Sequence, residues 1–177
     1  MRCWRLCFIF LAGFLFFGTI PVFAQAPASA PSRTHIVATF FMGGEYIFYD
    51  EDYDWGVGSK NGTIVGVNVL FIGNTGFTIS AGANLKFELN VGSRIDPVFG
   101  MGYVYYDTFF AGGILNLMPR PYIGSEVFLA PTFIGGYDFG SFIVMGDLSY
   151  MFGLGRTLGF TPRDGFRFSL GVGVSVR

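Results

Sequence analysis

Few residues in this 177-residue sequence are suited to making or breaking bonds. It has one histidine, His35, and two cysteines, Cys3 and Cys7. A single imidazole with no thiolate or second histidine to join it cannot complete a zinc site or a nucleophile–base pair. His35 therefore reads as a surface or interfacial residue at the start of the first strand. No catalytic residue, metal site or cofactor is expected, and the chain reads as a non-enzyme. Residues 49–56, YDEDYDWG, space Asp50, Asp52 and Asp54 as a calcium loop would, with Glu51 and Trp55 between and beside them. The glycine arrives one place late and Asn61 stands where such a loop needs its bidentate glutamate. This segment reads instead as a solvated extracellular loop able to attract cations or a protein surface. Six further charges, Glu45, Lys86, Glu88, Glu126, Asp147 and Arg167, fall on the polar side of alternating segments. Their meaning depends on what those segments enclose.

Composition narrows the setting. The chain is 51% apolar, 19% aromatic and only 13% charged, with 27 glycines and 23 phenylalanines, whereas soluble domains carry about 25% charged residues. Eleven basic against twelve acidic groups give a net charge of −1, which leaves no basic surface for a phosphate backbone and excludes nucleic acid as a partner. Residues 1–24 carry Arg2 and Arg5, an apolar run over 6–17, and small residues up to Ala24. They read as a secretory signal peptide cleaved after Ala24. Both cysteines fall within it, so the mature chain is expected to have no disulfide or thiolate chemistry. Residues 25–32, QAPASAPS, read as a flexible leader, and the ordered domain is expected over 33–177.

Beyond the leader no apolar run reaches the 18 or so residues of a spanning helix, and the hydrophobicity is organised with period two. Over 77–88 one face reads Phe77, Ile79, Ala81, Ala83, Leu85, Phe87, and the other Thr78, Ser80, Gly82, Asn84, Lys86, Glu88. Over 166–177 Phe166, Phe168, Leu170, Val172, Val174 and Val176 alternate with Arg167, Ser169, Gly171, Gly173, Ser175 and Arg177. Strands are expected at 35–48, 61–72, 77–88, 97–106, 112–119, 122–137, 142–152 and 166–177. That makes eight, or ten if Ala130-Pro131-Thr132 is a turn.

The chemistry of the two faces distinguishes architectures. A soluble sandwich turns its apolar face inward and a densely charged face to water. Here the second face is mostly Gly, Ser, Thr and Asn, too small and too weakly charged for a solvent surface but suited to a narrow lumen. The predicted fold is an all-β, antiparallel up-and-down transmembrane β-barrel with an apolar outside. Aromatic clusters at Tyr46, Phe48, Tyr49; Tyr103, Tyr105, Tyr106; Phe109, Phe110; Tyr150, Phe152; and Phe166 are expected to form interfacial girdles. A barrel of eight strands has room inside only for side chains. Lys86 and Arg167 should therefore pair with some of Glu45, Glu88, Glu126 and Asp147 and fill it.

Residues 33–177 resemble the small eight-stranded outer-membrane barrels of the OmpA, OmpX and OmpW type. The resemblance is carried by Pro97-Val98-Phe99-Gly100-Met101-Gly102 and by Arg120-Pro121-Tyr122-Ile123-Gly124-Ser125-Glu126, which look like that family's Pro, aromatic, apolar, Gly, any, Gly strand opening. Glu126 departs from the second glycine, and Arg177 stands where the family usually ends in Phe or Trp for its insertion machinery. The resemblance implies an outer-membrane location, outer-membrane lipid and the barrel assembly machinery as partners, and loops 49–60 and 153–165 facing an extracellular host or surface ligand. Adhesion, host interaction or envelope integrity would follow from a filled lumen. A narrow channel for small or hydrophobic molecules, or a soluble secreted β-sandwich, are the alternatives.

Overall fold

A computed structural model of the chain describes residues 34–49, 59–88, 92–120, 126–154 and 162–176. Eight strands run in chain order: β1 His35–Tyr49, β2 Ser59–Ile72, β3 Phe77–Glu88, β4 Gly92–Tyr106, β5 Phe109–Arg120, β6 Glu126–Asp138, β7 Ile143–Leu154 and β8 Pro162–Val176. Each pairs antiparallel with its neighbour, and β8 returns to β1, closing an up-and-down barrel. Closure excludes the sandwich. The signal peptide, the leader and the acidic loop residues Asp50, Glu51, Asp52, Asp54 and Trp55 lie outside the described residues.

The ends of the barrel differ. At the turn end, β2 passes to β3 through a turn in which Gly76 N donates to Gly73 O at 2.8 Å, and Gly76 adopts φ +83°. Asp107 and Thr108 alone join β4 to β5, and Phe139–Phe142 join β6 to β7 with Gly140 at φ +85°. Asp138 Oδ1 accepts from Gly140 N at 2.7 Å, fixing that last turn. Residues 50–58, 89–91, 121–125 and 155–161 connect strands at the opposite, loop end.

Several expected boundaries shift. β4 begins at Gly92, five residues before the expected start at Pro97, and in that extension Ser93 and Ile95 face out while Arg94 and Asp96 face in. β5 extends to Phe109 and Arg120, and β6 starts at Glu126. Ten strands do not form: Ala130, Pro131 and Thr132 lie inside β6, with Leu115 opposite Pro131. On the β7 side the ladder runs from Leu129↔Phe152 to Thr132↔Ser149 without changing register. The proline thus removes a donor but does not turn the chain.

The interior is also less polar than the glycine and hydroxyl face suggested. Val37, Leu70, Ile72, Val104, Phe110, Ile114, Ile134, Ile143 and Met145 fill the turn end, with Tyr106 packed against them. Ile47, Val98, Met118, Phe128, Ala130 and Met151 form a second cluster toward the loop end. Tyr106 and Phe110, expected in a girdle, face inward and stack on each other with centroids 5.3 Å apart. The reason is parity: the two-residue turn after Tyr106 places 106 and 110 opposite each other on the inner face. The outward wall is apolar throughout its middle, with Met101 62%, Phe133 62% and Leu170 70% exposed.

One seam is stitched less than the rest. The β4–β5 ladder ends at Phe99↔Leu117, and the same register two residues further sets Pro97 opposite Pro119. Neither has an N–H to give.

A Cβ at Gly140 meets nothing within 4 Å, so Gly140→Ala isolates the left-handed backbone penalty; at Gly76 the same atom also comes within 3.1 Å of Val104 O. Urea unfolding should show Gly140→Ala losing about 1 kcal/mol and Gly76→Ala losing more. Equal losses would contradict the crowding at Gly76.

Candidate functional site: the charged lumen

The inner face of each strand contributes at one level or another, and alternation decides which side chains those are. On β1, Thr39, Phe41, Glu45 and Ile47 point in; on β3, Ser80, Asn84 and Lys86; on β7, Met145, Asp147, Ser149 and Met151; on β8, Arg167 and Ser169. Four of the six predicted charges, Glu45, Lys86, Asp147 and Arg167, are thus in the lumen. Glu88 ends β3 and Glu126 begins β6; their side chains lie outside the described residues.

Glu45 is the hub. Its Oε1 lies 2.7 Å from Lys86 Nζ, and its Oε2 accepts from Arg120 Nη2 at 2.6 Å, with all three side chains 2% exposed or less. Arg120 also places Nε 3.4 Å from Asp96 Oδ2, to which Arg94 Nε donates at 3.1 Å. The Arg120 guanidinium lies 4.4 Å over the Phe128 ring, so its flat face is covered by aromatic carbon while its edge meets carboxylates. Five charges from β1, β3, β4 and β5 form one continuous cluster across the loop-end half of the barrel.

A second group lies deeper. Arg167 Nε is 4.0 Å from Asp147 Oδ1, its guanidinium is 5.1 Å from the Phe41 ring, and Nη1 reaches Met118 Sδ at 3.6 Å. Ser169 Oγ donates to Asp147 Oδ2. Below runs a neutral belt: Ser80 Oγ donates to Asn116 Oδ1 at 3.1 Å, Asn116 Nδ2 donates to Thr132 Oγ1 at 2.8 Å, and Thr132 and Ser149 share a hydroxyl bond of 2.8 Å. Ser80 on β3 reaches Asn116 on β5 over Gly100 of β4. A Cβ there would come within 2.1 Å of Asn116 Oδ1 and 2.6 Å of Ser80 Oγ. A cavity of about 20 Å³ remains among Asn68, Asn84, Asn116, Thr132, Asp147 and Arg167, about the space that one water needs.

The turn end is closed by a polar latch over the apolar cluster. Asp138 Oδ2 accepts from Tyr106 Oη at 2.6 Å and from Ser175 Oγ at 3.1 Å, tying β6 to β4 and β8. His35 faces inward and packs on Tyr106, centroids 4.6 Å apart, which corrects its reading as a surface residue: 35 shares the parity of Val37 and Thr39.

Arg94, Asp96, Arg120 and Asp138 were missed in the sequence because each falls outside the strand bounds expected there. Continuing the parity of Val98 and Gly100 backward, or of Asn116 and Met118 forward past Pro119, would have found the first three. Among the described residues no three His, Cys, Asp or Glu side chains converge to hold a metal. What the arrangement does chemically is neutralise and fill: carboxylates and cations satisfy one another where water is scarce. No family model matches the chain, and no curated protein matches it.

Glu45→Gln leaves Lys86 and Arg120 facing each other without their shared counter-charge. It should lower unfolding free energy by about 3 kcal/mol or more, measured by denaturant titration of the folded barrel. In the Asp147/Arg167 group, Arg167→Met and Asp147→Leu should each destabilise alone, and the double variant should recover part of the loss. Additive losses would show that the pair is not coupled.

Proposed function

We propose that this chain is a nonenzymatic integral outer-membrane barrel whose lumen is closed by its own side chains and whose loops carry its contacts with the outside. The reading rests on the outer wall. Residues such as Phe40, Val67, Ile79, Phe99, Phe133, Leu148, Phe168 and Leu170 face outward and are half exposed or more, while Lys86, Asp96, Arg120 and Arg167 are buried inside. Soluble monomers rarely expose contiguous apolar patches beyond a few hundred Å². Hydrocarbon reverses the sense of such a surface, making it the favourable one.

Dimensions agree. The shortest strands have 12 residues, and at about 3.3 Å per residue with a tilt near 40° each rises roughly 30 Å, the thickness of a hydrocarbon core. Aromatic groups sit toward both ends of the wall: Phe77 with Tyr103, and Tyr137 with Phe139 and Phe142, at the turn end; Tyr150 with Phe152 and Phe166 at the loop end. In this reading the short turns and both ends of the barrel domain face the periplasm, and the loops within 49–60 and 153–165 face outward. Outer-membrane lipid and the barrel assembly machinery are then obligatory partners. An extracellular ligand, serving adhesion, host interaction or envelope integrity, would be met by the loops.

The filled interior favours the closed barrel over the narrow channel. Ile114, Ile134, Phe110 and Val104 are buried together across the turn end, and the Glu45 cluster spans the other half. Reconstituted protein should float with lipid vesicles and show heat-modifiable gel migration, yet give no steady single-channel current in a planar bilayer. Stable conductance would replace this reading with the channel, and failure to float would remove the membrane assignment altogether.

A further inference from the structure

The deeper ion pair leaves polar atoms facing a gap. Arg167 Nε and Asp147 Oδ1 are 4.0 Å apart, with side chains 8% and 9% exposed, and that distance is too long for a direct hydrogen bond. Neither atom is buried with a hydrogen-bond partner among the described residues, and Asn68 Oδ1 is in the same position. The other edges of the pair are engaged. Asp147 Oδ2 accepts from Ser169 Oγ, Arg167 Nη1 reaches Met118 Sδ, and the Phe41 ring lies against the guanidinium. Arg167, Asp147 and Asn68 all line the cavity of about 20 Å³. The ladder makes that room: β2 and β3 set Asn68 opposite Gly82 and Gly66 opposite Asn84, so each amide lies beside a position with no side chain. A Cβ on Gly82 would come within 3.1 Å of Asn68 Oδ1, and one on Gly66 within 3.1 Å of Asn84 Oδ1.

We propose that this cavity is a binding site for one water molecule, which joins Arg167 to Asp147 and Asn68. The water accepts from Arg167 Nε–H and donates one O–H to Asp147 Oδ1 and the other to Asn68 Oδ1. Three hydrogen bonds are the usual complement of a buried water. Charge selects a neutral ligand: Arg167 repels a metal or ammonium ion and Asp147 repels an anion, whereas a dipole satisfies both. Size excludes anything larger than a water. Through this molecule β7 and β8 are tied to β2 over β1, much as Ser80 reaches Asn116 over Gly100. The site is set by the lumen and does not depend on what lies outside the wall.

The test uses the full chain, labelled with nitrogen-15 and refolded in detergent micelles. Arg167→Lys, which has no Nε–H, identifies the Arg167 Nε–H resonance by its loss. In the wild type that proton should show an Overhauser contact at the water frequency, with the rotating-frame sign of a resident molecule rather than of proton exchange. Asn68→Leu removes one acceptor and should shorten the residence of the water, read by oxygen-17 relaxation dispersion, by about fivefold, the weight of one net hydrogen bond. The double variant Arg167→Met with Asp147→Leu gives the cavity an apolar lining there and should abolish the resident-water contacts of the Asn68 and Asn84 side-chain amides. Each variant must keep heat-modifiable migration. A wild-type Nε–H with no contact to resident water, or one exchanging as fast as an exposed arginine's, overturns the site. So does a residence time untouched by Asn68→Leu, or a water signal that survives the double variant.

Discussion

Pairing of the last strand with the first, from Ile36↔Val176 to Tyr46↔Phe166, gives the molecule an inside, and the remaining features follow from how narrow that inside is. Closure removes the sheet edges that would otherwise leave N–H and C=O groups bare. With eight strands the enclosed space admits side chains and little else. Close contact across the seam then demands small residues at particular places: a Cβ on Gly173 would lie 2.1 Å from Ala38 O, and one on Gly43 2.0 Å from Phe168 O. Charges carried into that space have nowhere to turn except toward each other, which is why Glu45, Lys86, Arg120, Asp96 and Arg94 meet although they come from four strands.

The lumen is layered. Hydrocarbon side chains occupy the turn end, hydroxyls and amides the middle, and ion pairs interleaved with Phe128, Met118 and Val98 the loop end. Such layering keeps the ion pairs away from the tightly packed floor, where Asp138 is held by the Tyr106 and Ser175 hydroxyls, and it lets Arg120 and Arg167 cover their guanidinium faces with Phe128 and Phe41. The deeper group sets one cation against one carboxylate, whereas the loop-end cluster sets Lys86, Arg94 and Arg120 against Glu45 and Asp96, so each carboxylate there is shared between two cations.

Much of this was readable from alternation. The twelve-residue pattern over 77–88 fixed both the bounds and the facing of β3, and the parity of Lys86 and Arg167 placed them inside. Where alternation was masked by residue type, the reading faltered. Arg94 and Asp96 precede Pro97, where the strand was expected to start, and Arg120 follows Pro119, where one was expected to end; a proline breaks the ladder but not the alternation of faces. Tyr106 and Phe110 were assigned by their chemistry to an interface, whereas the length of the turn between them decides their side. Which carboxylate meets which cation was not legible at all, since Glu45 and Arg120 are 75 residues apart and only the stagger of the closed sheet brings them level.

The paired prolines 97 and 119 give one stretch of wall a different kind of strength. Elsewhere adjacent strands are held by amide ladders that dissolved ions barely touch. Between β4 and β5, beyond Phe99 and Leu117, the charge contact that crosses is Asp96 with Arg120, whose side chains are 3% and 2% exposed. Electrolyte screens exposed ion pairs far more than buried ones. This one slit is therefore held by a buried charge pair, and a change in either partner would loosen it where a change in salinity would not.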